Sequence, residues 1–175
     1  QIDQAIAMGH RIIVLTPGGM GARLAQQSGI TAEAVVQTSN FIGLMLDGCA
    51  QRRIQGVLLF GHVGKLIKVA GGIFNTHSQV ADARREILAA HTALIGGGTQ
   101  LIARIMQLNT IDEAPALLQE YGLERVWDAI AAAASERCQL RIGDGFKVGT
   151  VLYTLDGTIL AYDREAAWAK FRRWT

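Results

Sequence analysis

Two neighbouring runs, Gly61-His62-Val63-Gly64-Lys65-Leu66-Ile67-Lys68 and Asn75-Thr76-His77-Ser78, hold most of the side chains in this sequence that could bind or transfer a group. Lys65 and Lys68 bracket the exit of an apolar stretch, where their ammonium groups could pair with carboxylates through charge-assisted hydrogen bonds. As solvated cations on a helix face they would have no such role, and spacing alone leaves both readings open. His62 and His77 could serve as general bases or metal ligands, roles to which imidazole is suited, although a histidine beside a turn often serves only as a hydrogen-bonding group. A zinc site would need a third and fourth ligand at suitable spacing; none is evident, so no metal site is expected. Asn75, Thr76 and Ser78 could orient a polar ligand or satisfy the backbone of a loop. Asp82 suits a helix start, and Arg84 reads equally as a ligand contact or a surface cation.

The glycines around His62 invite comparison with a phosphate-binding loop. That motif needs four residues between its glycines and Ser or Thr after the lysine. Here Gly61 and Gly64 enclose two and Leu66 follows, so an NTPase is rejected. A second glycine turn, Thr16-Pro17-Gly18-Gly19-Met20-Gly21, could present backbone N–H groups to an anion at a helix start. It is not the dinucleotide fingerprint, and no acidic residue closes a second strand where a ribose would need one. No Ser-His-Asp order, nucleophile elbow or paired-carboxylate arrangement stands out, so hydrolase mechanisms lack support.

These residues need strands to carry them. Arg11-Ile12-Ile13-Val14-Leu15 and Gly56-Val57-Leu58-Leu59-Phe60 are short apolar runs of the kind buried on both faces of a parallel sheet. Residues 33–38 give a weaker strand between them. Helices are expected over residues 22–28, 41–53 with Ser39-Asn40 as its capping pair, 66–70, 82–95, 99–108 and 123–140. Thr110 to Pro115 reads as a capped helix start. Residues 148–154 and 158–161 alternate around Asp156-Gly157, which predicts a β-hairpin, and residues 163–174 close the chain as a helix. The fold class is therefore α/β, three-layered with a mainly parallel sheet, plus a C-terminal β-hairpin and helix, in one domain. In such sheets ligands sit beyond the carboxyl ends of the strands, where both glycine turns would lie.

Composition limits the alternatives. At 175 residues and 50% hydrophobic, the chain can bury a core without staples. Its net charge of +2 is too balanced to argue for nucleic acid. Cys49 and Cys138 read as small buried thiols, which fits a reducing, cytoplasmic setting. No run is long enough for a transmembrane helix and no signal peptide is visible, so no membrane association is expected. The sequence begins at Gln1 within a helix-like phrase, which suggests part of a longer protein.

The segment FGHVGKLIKVAGGIFNTHSQVADARREIL, Phe60 to Leu88, resembles the signature of the CbiD family, the C-1 methyltransferases of the anaerobic cobalamin pathway. Thr16-Pro17-Gly18-Gly19 resembles that family's T-P-G turn, and Gln37-Thr38-Ser39-Asn40-Phe41-Ile42-Gly43 its S-N-F-x-G phrase. The resemblance implies S-adenosylmethionine as methyl donor and a cobalt-containing tetrapyrrole with acetate and propionate arms as acceptor, the cobalt belonging to the substrate. It also implies a further N-terminal region about as long again. Under this resemblance Thr16, Pro17, Gly18, Gly19 and Asn40 are candidates for the donor's carboxylate or ribose. Lys65, Lys68, Asn75, Thr76 and Arg84 are candidates for the acceptor, and His62 and His77 for proton handling on the ring. Partners beyond the tetrapyrrole would be a second copy or other pathway enzymes. The alternative is a non-catalytic ligand-binding or docking domain whose active site depends on the N-terminal region.

Overall fold

Every residue of β1 (Ile12–Thr16) is buried, as are the first six of β3 (Gly56–His62), so both strands need cover on two faces. The computed structural model, which describes residues 1–163, supplies it. The chain opens with α1 (Ile2–Ala7), and β1 leads to α2 (Gly19–Gln27). A 3-10 turn at Ala32–Ala34 precedes β2 (Val35–Gln37) and α3 (Ile42–Ala50). After β3 come α4 (Val63–Ala70), α5 (Arg84–Leu94) and α6 (Thr99–Met106), then a 3-10 turn at Ile111–Glu113, α7 (Ala114–Glu120) and α8 (Val126–Ile142). β4 (Lys147–Tyr153) and β5 (Ile159–Tyr162) complete the described chain. The closing helix expected after Asp163 lies outside the described residues.

The five strands form one sheet in the order β2-β1-β3-β4-β5. The first four are parallel and β5 runs antiparallel to β4. Alternation along the strands divides the core in two. Ile13, Leu15, Val57, Leu59, Val148 and Leu152 belong to a large cluster with Leu66 and Ile67 of α4 and Trp127 and Ile130 of α8. Val14, Leu58, Phe60, Val151 and Tyr153 form a smaller one with Ala25 of α2. Trp127 is buried in the larger cluster; truncating such a residue to alanine costs about 3–5 kcal/mol.

The expected hairpin forms, between β4 and β5. β4 pairs along its whole length with β3, from Gly56↔Lys147 to His62↔Tyr153, and so lies inside the sheet. Two helix boundaries also shift toward the site. α2 begins at Gly19 rather than Ala22, so the glycine turn supplies its first residues. β3 continues through Gly61 and His62 and passes directly into α4 at Val63. Among the described residues no helix is long and apolar enough to cross a membrane.

Candidate functional site

Parallel strands end on a common rim, and here the switch in winding direction between β2 and β3 occurs at β1, which places the crevice beside Thr16. Thr16 is 0% exposed and its hydroxyl donates to the Gly18 carbonyl at 3.1 Å. Its carbonyl accepts the Thr38 amide at 2.8 Å, tying the exit of β1 to that of β2. From the far side, the buried Tyr153 hydroxyl meets the Thr16 side chain and the His62 backbone, and burial pushes its pKa up. All this closes on Gly21. A Cβ there would stand 1.9 Å from Thr16 Oγ1, 2.8 Å from the Tyr153 hydroxyl and 3.1 Å from the Phe60 carbonyl. Only glycine lets the first turn of α2 come this close.

Next to this turn, the loop after β2 is stitched to the loop after α4. Phe41 and Asn75 form an isolated antiparallel bridge, the Thr76 amide donates to the Asn40 carbonyl at 2.9 Å, and the Gly43 amide to the Phe74 carbonyl at 3.2 Å. The side chain of Asn40 gathers the cluster: its Oδ1 accepts from Lys65 Nζ at 2.6 Å and from the Thr76 hydroxyl at 3.3 Å. The expected Ser39-Asn40 helix cap is therefore corrected. Phe41 is the N-cap of α3, with no side-chain capping bond, while Ser39 adopts a positive φ of 52° that turns the chain. Asn40 faces Lys65 because Lys65, in the first turn of α4, supplies the stronger charged donor.

Lys65 and Lys68 have different surroundings. Lys65 is half-buried and its ammonium donates to Asn40 Oδ1. Lys68 is only 2% exposed, and its ammonium donates to the Ala81 carbonyl at 2.7 Å and the Thr76 carbonyl at 3.2 Å. Desolvation lowers its pKa, partly offset by Asp82. Lys68, expected as a substrate contact, thus gives protons to the backbone of the loop between α4 and α5. Arg84 forks onto Asp82 at 2.6 and 2.7 Å, which holds Asp82 at a pKa of about 2.

The two histidines also part company. His62 Nδ1 accepts the Gly64 amide at 3.1 Å, capping α4, and its Nε2 lies 2.7 Å from Asp112 Oδ1. His77 is exposed; its Nδ1 accepts the Gln79 amide at 3.2 Å, and Asn75 Oδ1 accepts the His77 amide at 3.2 Å, so both side chains shape a local turn. The structure therefore gathers Thr16, Gly18, Asn40, His62, Lys65, Lys68 and Thr76 on one rim. Pro17 and Gly19 flank them within the glycine turn. Asn75 joins through its bridge to Phe41, and Arg84 is held at the start of α5.

Sequence reasoning missed Asp112 and Tyr153. Asp112 sat within a recognised helix start, and that start does form, with Thr110 and Glu113 as a capping box. Nothing local announces that the intervening carboxylate reaches a strand end 50 positions away. Tyr153 was legible only as one residue of a hairpin.

A cavity of about 880 Å³ opens at the other edge of the sheet, where β3 and β4 begin. Asp128, Glu136, Asp144, Asp163 and Lys147 are among its described lining residues. This lining disfavours an anionic ligand, whereas the carboxyl rim brings Lys65, Lys68 and Arg84 together.

Comparison with known proteins gives concordant results. A family described as CbiD, C-terminal domain, matches residues 75–164. A protein of Desulfitobacterium hafniense (strain Y51) named cobalt-precorrin-5B C(1)-methyltransferase is 46% identical over 167 residues, covering 95% of this chain and 43% of its own length. Proteins of the same name from Moorella thermoacetica and Methanocaldococcus jannaschii are 45% and 39% identical, over 95% and 91% of this chain and 46% and 44% of theirs. The chain thus spans less than half the length of these relatives. No solved structure matches it.

Proposed function

The chain belongs to the CbiD family, and on that premise we propose that it serves S-adenosylmethionine-dependent methylation at C-1 of cobalt-precorrin-5B in anaerobic cobalamin biosynthesis. The observation that carries the reading is the Asn40–Lys65–Thr76 cluster on the carboxyl rim, a fixed cation beside a glycine turn. The cobalt arrives within the substrate.

Methyl transfer from a sulfonium to a ring carbon is an in-line displacement, so the protein contributes mainly positioning and exclusion of water. S-adenosylmethionine supplies the electrophilic methyl group. The residues present suit its carboxylate: α2 begins at the Gly18-Gly19 turn with no side-chain cap and no acidic residue in its first turn. Its leading N–H groups can therefore meet an anion. Thr16 and Pro17 set the direction of this turn, and Gly21 and Tyr153 press it against the strand ends. Lys65 offers substrate carboxylates the protons that Asn40 does not take. Lys68 orders the loop carrying Asn75 and Thr76, and Arg84, paired with Asp82, contributes a damped positive charge. His62, engaged at both nitrogens, holds α4 in place; His77, on the exposed side of the loop, is the better placed of the two to meet a ring substituent.

Titration of the chain with S-adenosylmethionine and then with the tetrapyrrole tests the proposal. Binding of both, lost for the tetrapyrrole in Lys65→Ala, is expected. A second reading, a non-catalytic docking domain, draws on the relatives' greater length and on Phe41 and Leu44, which are 54% and 68% exposed at the start of α3 beside the rim. Failure of this chain to bind either ligand, with binding by a full-length relative, would favour it.

A further inference from the structure

The His62–Asp112 pair is unusual in how little freedom it leaves the ring. The Gly64 amide donates to Nδ1 at 3.1 Å, so Nδ1 must carry the lone pair. The proton of the neutral ring then sits on Nε2, which lies 2.7 Å from Asp112 Oδ1 and can only donate to it. The two contacts assign the tautomer together, because a proton on Nδ1 would turn the Gly64 contact from a bond into a clash. Steric fit points the same way. A Cβ on Gly64 would lie 3.0 Å from His62 Cε1 and Nδ1 and 3.1 Å from Ile111 Cγ2, so the glycine leaves room for the ring and the 3-10 turn to meet at the first turn of α4. Asp112 is also within electrostatic reach of Arg84. That links the 3-10 turn to the start of α5 as well.

We infer that Asp112 is a positioning residue: by taking the Nε2 proton of His62 it locks the ring as the cap of α4, the helix whose first turn carries Lys65. The inference rests on the proposed function in one respect, that Lys65 meets substrate carboxylates. β3 enters α4 without a loop, so the direction of the first turn is set at His62 alone. A ring free to change tautomer would lose the Gly64 bond part of the time. Lys65, the next residue, would then drift from Asn40.

The test uses the 175-residue chain, with nitrogen-15 imidazole spectra of His62 and amide exchange at Gly64. In the parent chain a single neutral Nε2–H tautomer is expected. Asp112→Ala should give mixed tautomers and speed Gly64 exchange about fivefold to tenfold, the loss of one capping bond. Asp112→Asn keeps an oxygen that can accept from Nε2, so it should retain the tautomer and hold exchange within about twofold of the parent. An imidazole proton on Nδ1 in the parent chain, or unchanged tautomer and Gly64 exchange in Asp112→Ala, would overturn the inference. In turnover by the full-length enzyme, Asp112→Ala should raise the tetrapyrrole KM severalfold and move kcat less. A KM unchanged in Lys65→Ala, with the His62 and Gly64 signals behaving as described, would remove the substrate reading and leave the positioning role standing.

Discussion

Asn40 Oδ1 lies 2.6 Å from Lys65 Nζ, so a carboxamide from the loop after β2 fixes this lysine, whereas Lys68 is committed to backbone carbonyls. Lys65→Met keeps the stem of the side chain and removes the charge. It should leave the thermal midpoint within a few degrees and weaken tetrapyrrole binding roughly 30-fold, equivalent to one charge-assisted bond of about 2 kcal/mol. Calorimetric titration checks this; undiminished affinity would exclude Lys65 from the substrate site.

Lys68→Met should act in the opposite manner, on the fold rather than on affinity alone. It leaves the Thr76 and Ala81 carbonyls without their donor, at a cost of about 2 kcal/mol. Amide exchange in residues 75–82 should rise well above that of α8. Uniform exchange across both segments would show that the ammonium does not order the loop.

Gly21→Ala places a methyl 1.9 Å from Thr16 Oγ1, with the Phe60 carbonyl close behind. Overpacking of this kind costs about 1–3 kcal/mol and here also displaces the glycine turn. Urea denaturation should show the loss. S-adenosylmethionine affinity should fall in the same variant, whereas Gly29→Ala, remote from the turn, should change only stability.

Asp82 has a folded pKa of about 2, below its ordinary value of 3.8, chiefly because Arg84 bonds to its charged form. A depressed carboxyl pKa stabilises the fold above the unfolded value and loses that contribution as pH falls through the folded one. The stabilisation from the Asp82–Arg84 contact should therefore be full above about pH 4 and decline as pH falls toward 2, where the contact itself is half titrated. Carbon-13 titration of the Asp82 carboxyl gives the midpoint directly, and Arg84→Met should return it toward 3.8.

Burial pushes both Cys49 and Cys138 up to about 12, so neither holds appreciable thiolate near neutrality. A thiol reagent at pH 8 should label the native chain only as fast as it opens, and urea should make labelling immediate. Fast native labelling of either residue would contradict its placement in the core.

The apolar runs around Val14 and Leu58 were legible because a strand covered on both faces shows as uninterrupted hydrophobicity, whatever it packs against. The glycine turns were legible for a similar local reason. β4 was read as a hairpin strand because its turn is local chemistry, while its pairing with β3 depends on helices folded far from it in sequence. The absence of the cap expected at Asn40 and the backbone partners of Lys68 escape the sequence for the same cause. Each residue has a plausible neighbour in the sequence, a helix to cap or a solvent face, and tertiary partners with stronger claims. Asp112 shows the limit most clearly, since its partner is set by the arrival of a 3-10 turn at the rim.

The pairing of β3 with β4 has a kinetic corollary. The centre of the sheet joins segments separated by residues 63–146, so a nascent chain leaving the ribosome must carry β3 with one edge open until Lys147–Tyr153 has been synthesised. Such non-local closure slows folding, and it makes the interval before β4 emerges the time when this chain is most exposed to mispairing with other strands.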